Sequence, residues 1–257
     1  MKFSIIINTH NQPKYITECI ESCIKQNYIN YEIIVVDTSQ TPSIQNRKFK
    51  KFKYFHIKEK YKKYPVLNQM YQIYYGFKKS KGEFLCFLDG DDKFSKDKLK
   101  KLANIIENKK TCLIQDVPTI FSQSFKKNSN IKKYKSNFFF KKIAIDWPQI
   151  FGTSTITCRK DILKIFFKLG KPFSCEYLAI DVKLVIFVEY FYNIKNKLHE
   201  ITFKRKHGKN LDDTYSNFFS KSFWIRRNMQ HHYKFLITKR RTYNLDYFIT
   251  KLVNLFL

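Results

Sequence analysis

Three carboxylates in four positions, Asp89, Asp91 and Asp92 around Gly90, directly follow the apolar run Glu83-Phe84-Leu85-Cys86-Phe87-Leu88. A short apolar run bounded by Gly82 and a polar cluster is the pattern of a buried strand, which places the acids where that strand ends. So close together they repel one another unless something cationic holds them, and the chain has only 21 acidic residues against 49 basic ones. Hard divalent ions such as Mg²⁺ or Mn²⁺ take oxygen ligands and often bridge one or two carboxylates to a substrate phosphate. The tetrad predicts a metal–diphosphate site. A calcium loop of the EF-hand type is excluded, because its fifth position would be Lys93 and its sixth Phe94 in place of glycine.

Such a site needs a frame, and the first half of the chain alternates strand and helix signals. Residues 3–8 predict a strand and 15–25 a helix, on which Ile16, Cys19, Ile20, Cys23 and Ile24 share one face at three-four spacing. Further strands are predicted at 31–37, 54–57 and 83–88, with helices at 65–79 and 97–107. Strands joined by helix-length crossovers give an α/β fold with a mostly parallel sheet and helices on both faces. Ligands of such sheets bind outside the carboxyl ends of the strands, so Asn8, Asp37 and Asp89, each ending a strand, should line one crevice. The second half is less regular: a strand at 111–117, a basic loop at 126–135, a β-rich run at 153–158, a helix at 182–192 and a strand at 198–204. From residue 216 onward the chain reads as helical, aromatic and basic. This suggests one unit over 1–212, with a more regular half at 1–110 and a less regular half at 111–212, and a helical extension at 213–257.

The 257 residues can bury a sizeable core, and an apolar fraction of 44% with 26 Phe and 17 Tyr excludes a disordered chain. Only seven of the basic residues are Arg, a bias that AT-rich coding would produce unaided, yet the basic residues also concentrate near the C-terminus. A formal charge of +28 attracts anionic membranes, nucleic acid or acidic glycans. The six cysteines form no C-x-x-C pair, and no His or Cys pair completes a zinc set with Cys19 and Cys23. With too short an apolar start for a signal peptide and no window near 18 apolar residues, the expectation is a reduced, cytoplasmic chain, at most peripheral on a membrane.

Taken in order, the segments Ser4-Ile5-Ile6-Ile7-Asn8-Thr9-His10-Asn11, Tyr31-Glu32-Ile33-Ile34-Val35-Val36-Asp37 and Lys81-Gly82-Glu83-Phe84-Leu85-Cys86-Phe87-Leu88-Asp89-Gly90-Asp91-Asp92 resemble a family 2 glycosyltransferase of the GT-A fold. The resemblance implies inverting transfer of a sugar from a nucleotide-diphosphate donor to a hydroxyl of a glycan or lipid-linked acceptor, with Mn²⁺ or Mg²⁺ as cofactor. It implies Asp91 as direct metal ligand, Asp89 toward the ribose or a metal-bound water, and Asp92 in support. It gives His10 and Asp37 to the nucleobase, Asn68 to the diphosphate, Asp181 to the general base with Glu176 as second choice, and residues 151–154 to the acceptor. Trp147 offers a flat face to a sugar ring. Lys204-Arg205-Lys206-His207-Gly208 resembles a basic segment that closes over the diphosphate in some relatives, with Arg205 on phosphate oxygens and His207 completing the metal shell. Thr38 departs from the family, which often has a second acidic residue there, and this leaves the identity of the nucleotide open.

The C-terminal mix of aromatics and cations suits a helix lying on an anionic membrane, or equally one packing its aromatic face on the catalytic unit. A sugar nucleotidyltransferase is rejected because 8–13 contain no Gly-rich loop. The competing readings are a basic nucleic-acid- or membrane-binding protein and an inactive transferase. The first is disfavoured because the acidic tetrad would repel phosphates without a metal, so no nucleic-acid partner is expected.

Overall fold

In the computed structural model the described residues are 1–44, 51–106, 111–122, 126–128, 147–192, 195–196, 201–208, 210, 215 and 217–257. The strands β1 (Phe3–Thr9), β2 (Tyr31–Asp37), β3 (Lys53–His56) and β4 (Phe84–Asp89) run parallel, with β1 central between β2 and β4. Beyond β4 the sheet continues through β9 (Ile156–Arg159), β6 (Leu113–Gln115) and β10 (Lys195–Asn196). β9 is antiparallel to both of its neighbours, so the seven-stranded sheet is mixed but mostly parallel.

The central strands form because alternate side chains point to opposite faces and both faces are covered by helices. Phe3, Ile5 and Ile7 of β1, with Phe84, Cys86 and Leu88 of β4, pack against α1 (Pro13–Ile24) and α3 (Lys98–Ile105). Ile6, Leu85 and Phe87 point the other way, onto α2 (Pro65–Lys79), α4 (Lys160–Leu169) and α5 (Ile180–Phe191). All six cysteines are free and buried, packed as small apolar groups.

A smaller sheet carries the order β5 (Lys93–Phe94), β11 (Thr202–Arg205), β7 (Pro118–Phe121) and β8 (Lys126–Asn128). Its first strand begins one residue after Asp92, so the acidic tetrad is the joint between the two sheets. The strand expected at 198–204 is β11, shifted toward the C-terminus; 198–200 lie outside the described residues, as do 129–135 of the expected basic loop. The expected boundary at 212/213 also falls outside them.

The C-terminal helices are α6 (Lys221–Thr238) and α7 (Leu245–Leu255). Tyr233 of α6 is fully buried and joins Val182 and Ile186 of α5 in a third apolar cluster. Through that cluster α6 is packed directly against the α5 wall of the main body.

Candidate active site

The tetrad is shaped by backbone contacts before any side chain acts. Gly90 N–H donates to Asn8 O at 2.9 Å and Asp92 N–H to Asp89 O at 3.0 Å, which turns the chain sharply off β4. A Cβ on Gly90 would stand 2.7 Å from Thr9 Oγ1, so only glycine lets the turn lie this close to β1.

The three carboxylates meet different partners. Asp89 Oδ1 accepts from Asn8 Nδ2 at 2.8 Å and Gln69 Nε2 at 2.7 Å. Asp92 accepts from Ser154 Oγ at 2.6 Å and from the Arg205 backbone N–H at 2.7 Å. Asp91 Oδ2 lies 2.8 Å from His207 Nε2, and the His207 ring stacks on Tyr15 at 5.3 Å. Burial, then repulsion from Asp91, pushes the Asp89 carboxyl up to about 6. Burial and the charges of Asp91 and Asp89 raise Asp92 in the same direction. This crest holds more negative charge than its surroundings comfortably accept.

Beneath it lies a buried ion pair. Lys98 Nζ, fully enclosed, sits 2.6 Å from Asp116 Oδ2 and donates to Thr202 Oγ1 at 2.6 Å and to Ser154 O at 3.2 Å. One ammonium thereby ties α3, the turn after β6, the 3₁₀ turn Thr153–Thr155 and β11 together under the acids.

The crest opens into a cleft of about 340 Å³, a volume in the range of small-ligand sites. Asn8, His10, Asn68, Asp89, Asp91 and Asp181, all expected site residues, line it. Asp181 is in the first turn of α5 and its Oδ1 accepts the Val182 N–H at 2.7 Å, while Ala179 is the N-cap. Glu176 does not line this cleft. His207 reaches the site through Asp91. His10 Nδ1 lies 3.0 Å from Thr38 O. The Thr38 hydroxyl stands where an acid is common in the resemblance, and it accepts from Asn68 Nδ2 at 2.8 Å and Gln72 Nε2 at 2.9 Å. Two amide oxygens at the cleft, Asn8 Oδ1 and Asn68 Oδ1, are buried without a hydrogen-bond partner among the described residues.

Three expected contacts are placed elsewhere. Asp37 is fully buried outside the cleft, and its oxygens accept from Ser39 N–H at 2.8 Å, Ser43 N–H at 2.8 Å and Tyr54 OH at 2.6 Å. These bonds outweigh the cost of burial and hold its carboxyl below the ordinary range. It folds the loop after β2 back on itself. Arg205 also turns inward: it pairs with Glu18, donates from Nε to Asp91 O at 2.8 Å, and lies 4.6 Å over the Tyr15 ring. The neighbouring Lys204 faces the cleft instead, at the positive-φ residue Gly152, whose Cβ would meet Lys204 Nζ at 2.9 Å. Strand alternation explains the exchange, since adjacent residues of β11 point to opposite sides. Trp147 does not line the cleft; it packs on the third apolar cluster and beneath Arg226 and Arg227, at 5.0 and 5.2 Å.

Sequence reasoning also missed Gln69, Gln72, Tyr215 and Arg226. Arg226 lies 4.9 Å over the Tyr215 ring, and both line the cleft. A signal existed for the glutamines: Asn68, Gln69 and Gln72 follow Pro65 at three-four spacing, a polar stripe on a mostly buried helix.

Among the described residues no group of three or more His, Cys, Asp or Glu side chains converges into a complete cation shell. Asp91 with His207 is an oxygen–nitrogen pair; the carboxylate suits either Mn²⁺ or Mg²⁺, and the imidazole nitrogen favours the transition ion Mn²⁺, when a diphosphate and water supply the remaining oxygen ligands. Asp89, held by two amide donors, fits a supporting role better than a third direct one.

The sequence model described as "Glycosyl transferase family 2" matches residues 4–166. An uncharacterized glycosyltransferase of Rickettsia felis is 29% identical over 160 residues, which is 60% of this chain and 24% of that protein. The poly(ribitol-phosphate) beta-N-acetylglucosaminyltransferase TarS of Staphylococcus aureus is 33% identical over 119 residues, 42% of this chain and 19% of TarS. The chain therefore spans about a quarter or less of the length of these two relatives. Among solved structures, S. aureus TarS 1–349 in complex with UDP-GlcNAc aligns with a TM-score of 0.62 at 20% identity, over 91% of this chain and 66% of that one. The mannosyltransferase PcManGT from Pyrobaculum calidifontis, in complex with GDP-Man and Mn²⁺, aligns with a TM-score of 0.59 at 12% identity, over 97% and 68%. At these identities the structural likeness is one of fold, and the fold is GT-A. The family match extends over more than half of the sequence, from β1 through the acidic tetrad to α4, and the chain belongs to glycosyl transferase family 2.

Proposed function

We propose that this chain moves a sugar, with inversion, from a UDP-sugar to a hydroxyl of a glycan or lipid-linked acceptor, with Mn²⁺ or Mg²⁺ as cofactor. The observation that carries this reading is Asp91, 2.8 Å from His207 behind it, on the wall of a cleft that Lys204 and Asp181 also line. The bound UDP-GlcNAc of TarS and the GDP-Man and Mn²⁺ of PcManGT support the donor class and the metal.

Asp91 and His207 would hold the ion, which when bound supplies charge neutralisation to the departing diphosphate. Lys204 adds a positive charge beside it, set at the cleft by the absence of a side chain on Gly152. Asn8 Oδ1 and Asn68 Oδ1 accept hydroxyl or N–H donors of the nucleoside, which gives two otherwise unpaired buried oxygens their partners. His10 offers a half-exposed ring to the base. Asp37 acts on the nucleotide through the loop it shapes. The Asp181 carboxylate, oriented by the Val182 N–H, takes the proton from the acceptor hydroxyl as the sugar–oxygen bond forms.

Asp181→Asn tests the assignment. Thermal shift with UDP-, GDP-, CMP- and dTDP-sugars and Mn²⁺ should be unchanged, while transfer falls by roughly 10²–10⁴-fold. Wild-type turnover in the variant would remove Asp181 from the role. A wild-type chain that no nucleotide sugar stabilises would remove the transferase reading itself.

A further inference from the structure

Helix α7 is amphipathic in the reverse sense to an ordinary surface helix. Its polar side faces the protein: Thr250 is 0% exposed, and the buried Asp246 pairs with Arg227 of α6 and lies 3.2 Å from His231 Nε2. Lys251 Nζ donates to Asn228 Oδ1 at 2.8 Å and Asn254 Nδ2 to Trp224 O at 3.1 Å, extending this polar seam along α6. The opposite side carries Leu245, Phe248, Ile249, Leu252, Leu255 and Phe256 at three-four spacing, with Leu255 80% and Phe256 84% exposed. A soluble helix buries such a stripe against its neighbour. Here the neighbour takes the polar face, and an apolar surface is left outward on a helix fixed by ion pairs.

The charge around the stripe selects what covers it. Between residues 217 and 257 there are eight Lys and Arg and one acid, Asp246, which is buried. Lys239, Arg240 and Arg241 are exposed at the turn into α7, and Lys251 is exposed along it. A second copy of the chain would set cations against cations with no exposed acid between them, which is costly. An anionic lipid surface satisfies both features, taking the apolar stripe at its acyl boundary and the cations among its headgroups. No helix among the described residues is long and apolar enough to cross a membrane, so the fit is to a helix lying in the plane of the interface.

We propose that the outward face of α7, with the basic turn before it, is a docking surface for an anionic bilayer. Because α6 also lends Arg226 to the cleft, docking would hold the cleft close to the lipid surface. The proposal stands independently of the sugar-transfer reading.

Flotation of the 257-residue chain with phosphatidylcholine vesicles, alone or with roughly a third phosphatidylglycerol, tests it. Wild type should bind the anionic vesicles at least about tenfold more tightly than the neutral ones. The variant Phe248→Ser/Leu252→Ser/Leu255→Ser should lose that binding with an unchanged melting temperature, since all three residues are exposed. Should its melting temperature fall, the variant Lys239→Glu/Arg240→Glu/Arg241→Glu decides by losing the preference for anionic vesicles. Wild type that stays in solution with both vesicle types overturns the proposal. So does wild type that self-associates without vesicles while the triple-serine variant is monomeric, or a charge variant that binds as the wild type does.

Discussion

Two of the places where carboxylates are buried, the crest after β4 and the seam between α6 and α7, are electrostatically opposite. In the seam, burial disfavours the Asp246 charge, but His231, 3.2 Å away, and Arg227, which donates to it, hold its carboxyl down to about 2. At the crest, burial and Asp91 push Asp89 up to about 6, and Asp92 moves the same way. The seam carries its own counter-charges and is a finished structural joint. The crest gathers carboxylates faster than Lys204 offsets them, and that surplus is what a cationic ligand with its diphosphate would meet.

The largest effect on this contrast should come from Lys98, the fully enclosed cation beneath the crest. Lys98→Met leaves Asp116 charged in a dry site and is expected to cost about 3–5 kcal/mol in urea unfolding. A loss below about 1 kcal/mol would show that the pair is not what supports the crest. In the seam, Asp246→Asn should cost about 2 kcal/mol at neutral pH, from a carboxyl lowered from 3.8 to about 2. The sign follows from the lowered value. The stabilisation is complete above the unfolded pKa and is lost as pH falls from about 4 to about 2, so variant and wild type should converge there. Urea unfolding at stepped pH reads this, and a difference that persists at pH 2 would contradict it. The smallest effect belongs to the cleft wall: Lys204→Ala should raise the donor KM about tenfold with little change in melting temperature, about 1.4 kcal/mol of binding.

These residues also show how far the sequence could be read. The parallel strands were legible because β1, β2 and β4 are apolar at consecutive positions, as strands covered on both faces must be. The acidic turn was legible because its members are adjacent in the chain. Lys98 was not, since it stands among Lys96, Lys100 and Lys101 in a segment that looks solvated. Its cage comes from Asp116, Ser154 and Thr202, segments distant in sequence that only folding brings together. Asp37 was placed at a strand end correctly, but the backbone N–H groups that capture its carboxylate belong to a loop with no periodic signal. On β11 the basic run was visible while the choice between Lys204 and Arg205 depended on strand register. For α7 the mix of aromatics and cations was visible and the direction of its apolar face was not, because that is set by the partners of Asp246 on another helix.

The central claim is that Asp91, with His207, holds the ion that binds the donor diphosphate. Its most direct measurement is the melting temperature of wild type and Asp91→Ala with a UDP-sugar, with and without Mn²⁺. A donor at 100 times its Kd adds about 2.7 kcal/mol of stability, enough to raise the wild-type melting temperature by several degrees. The account predicts that rise only when Mn²⁺ is present, and its disappearance in the variant. An equal rise in both proteins, or one indifferent to Mn²⁺, would contradict it.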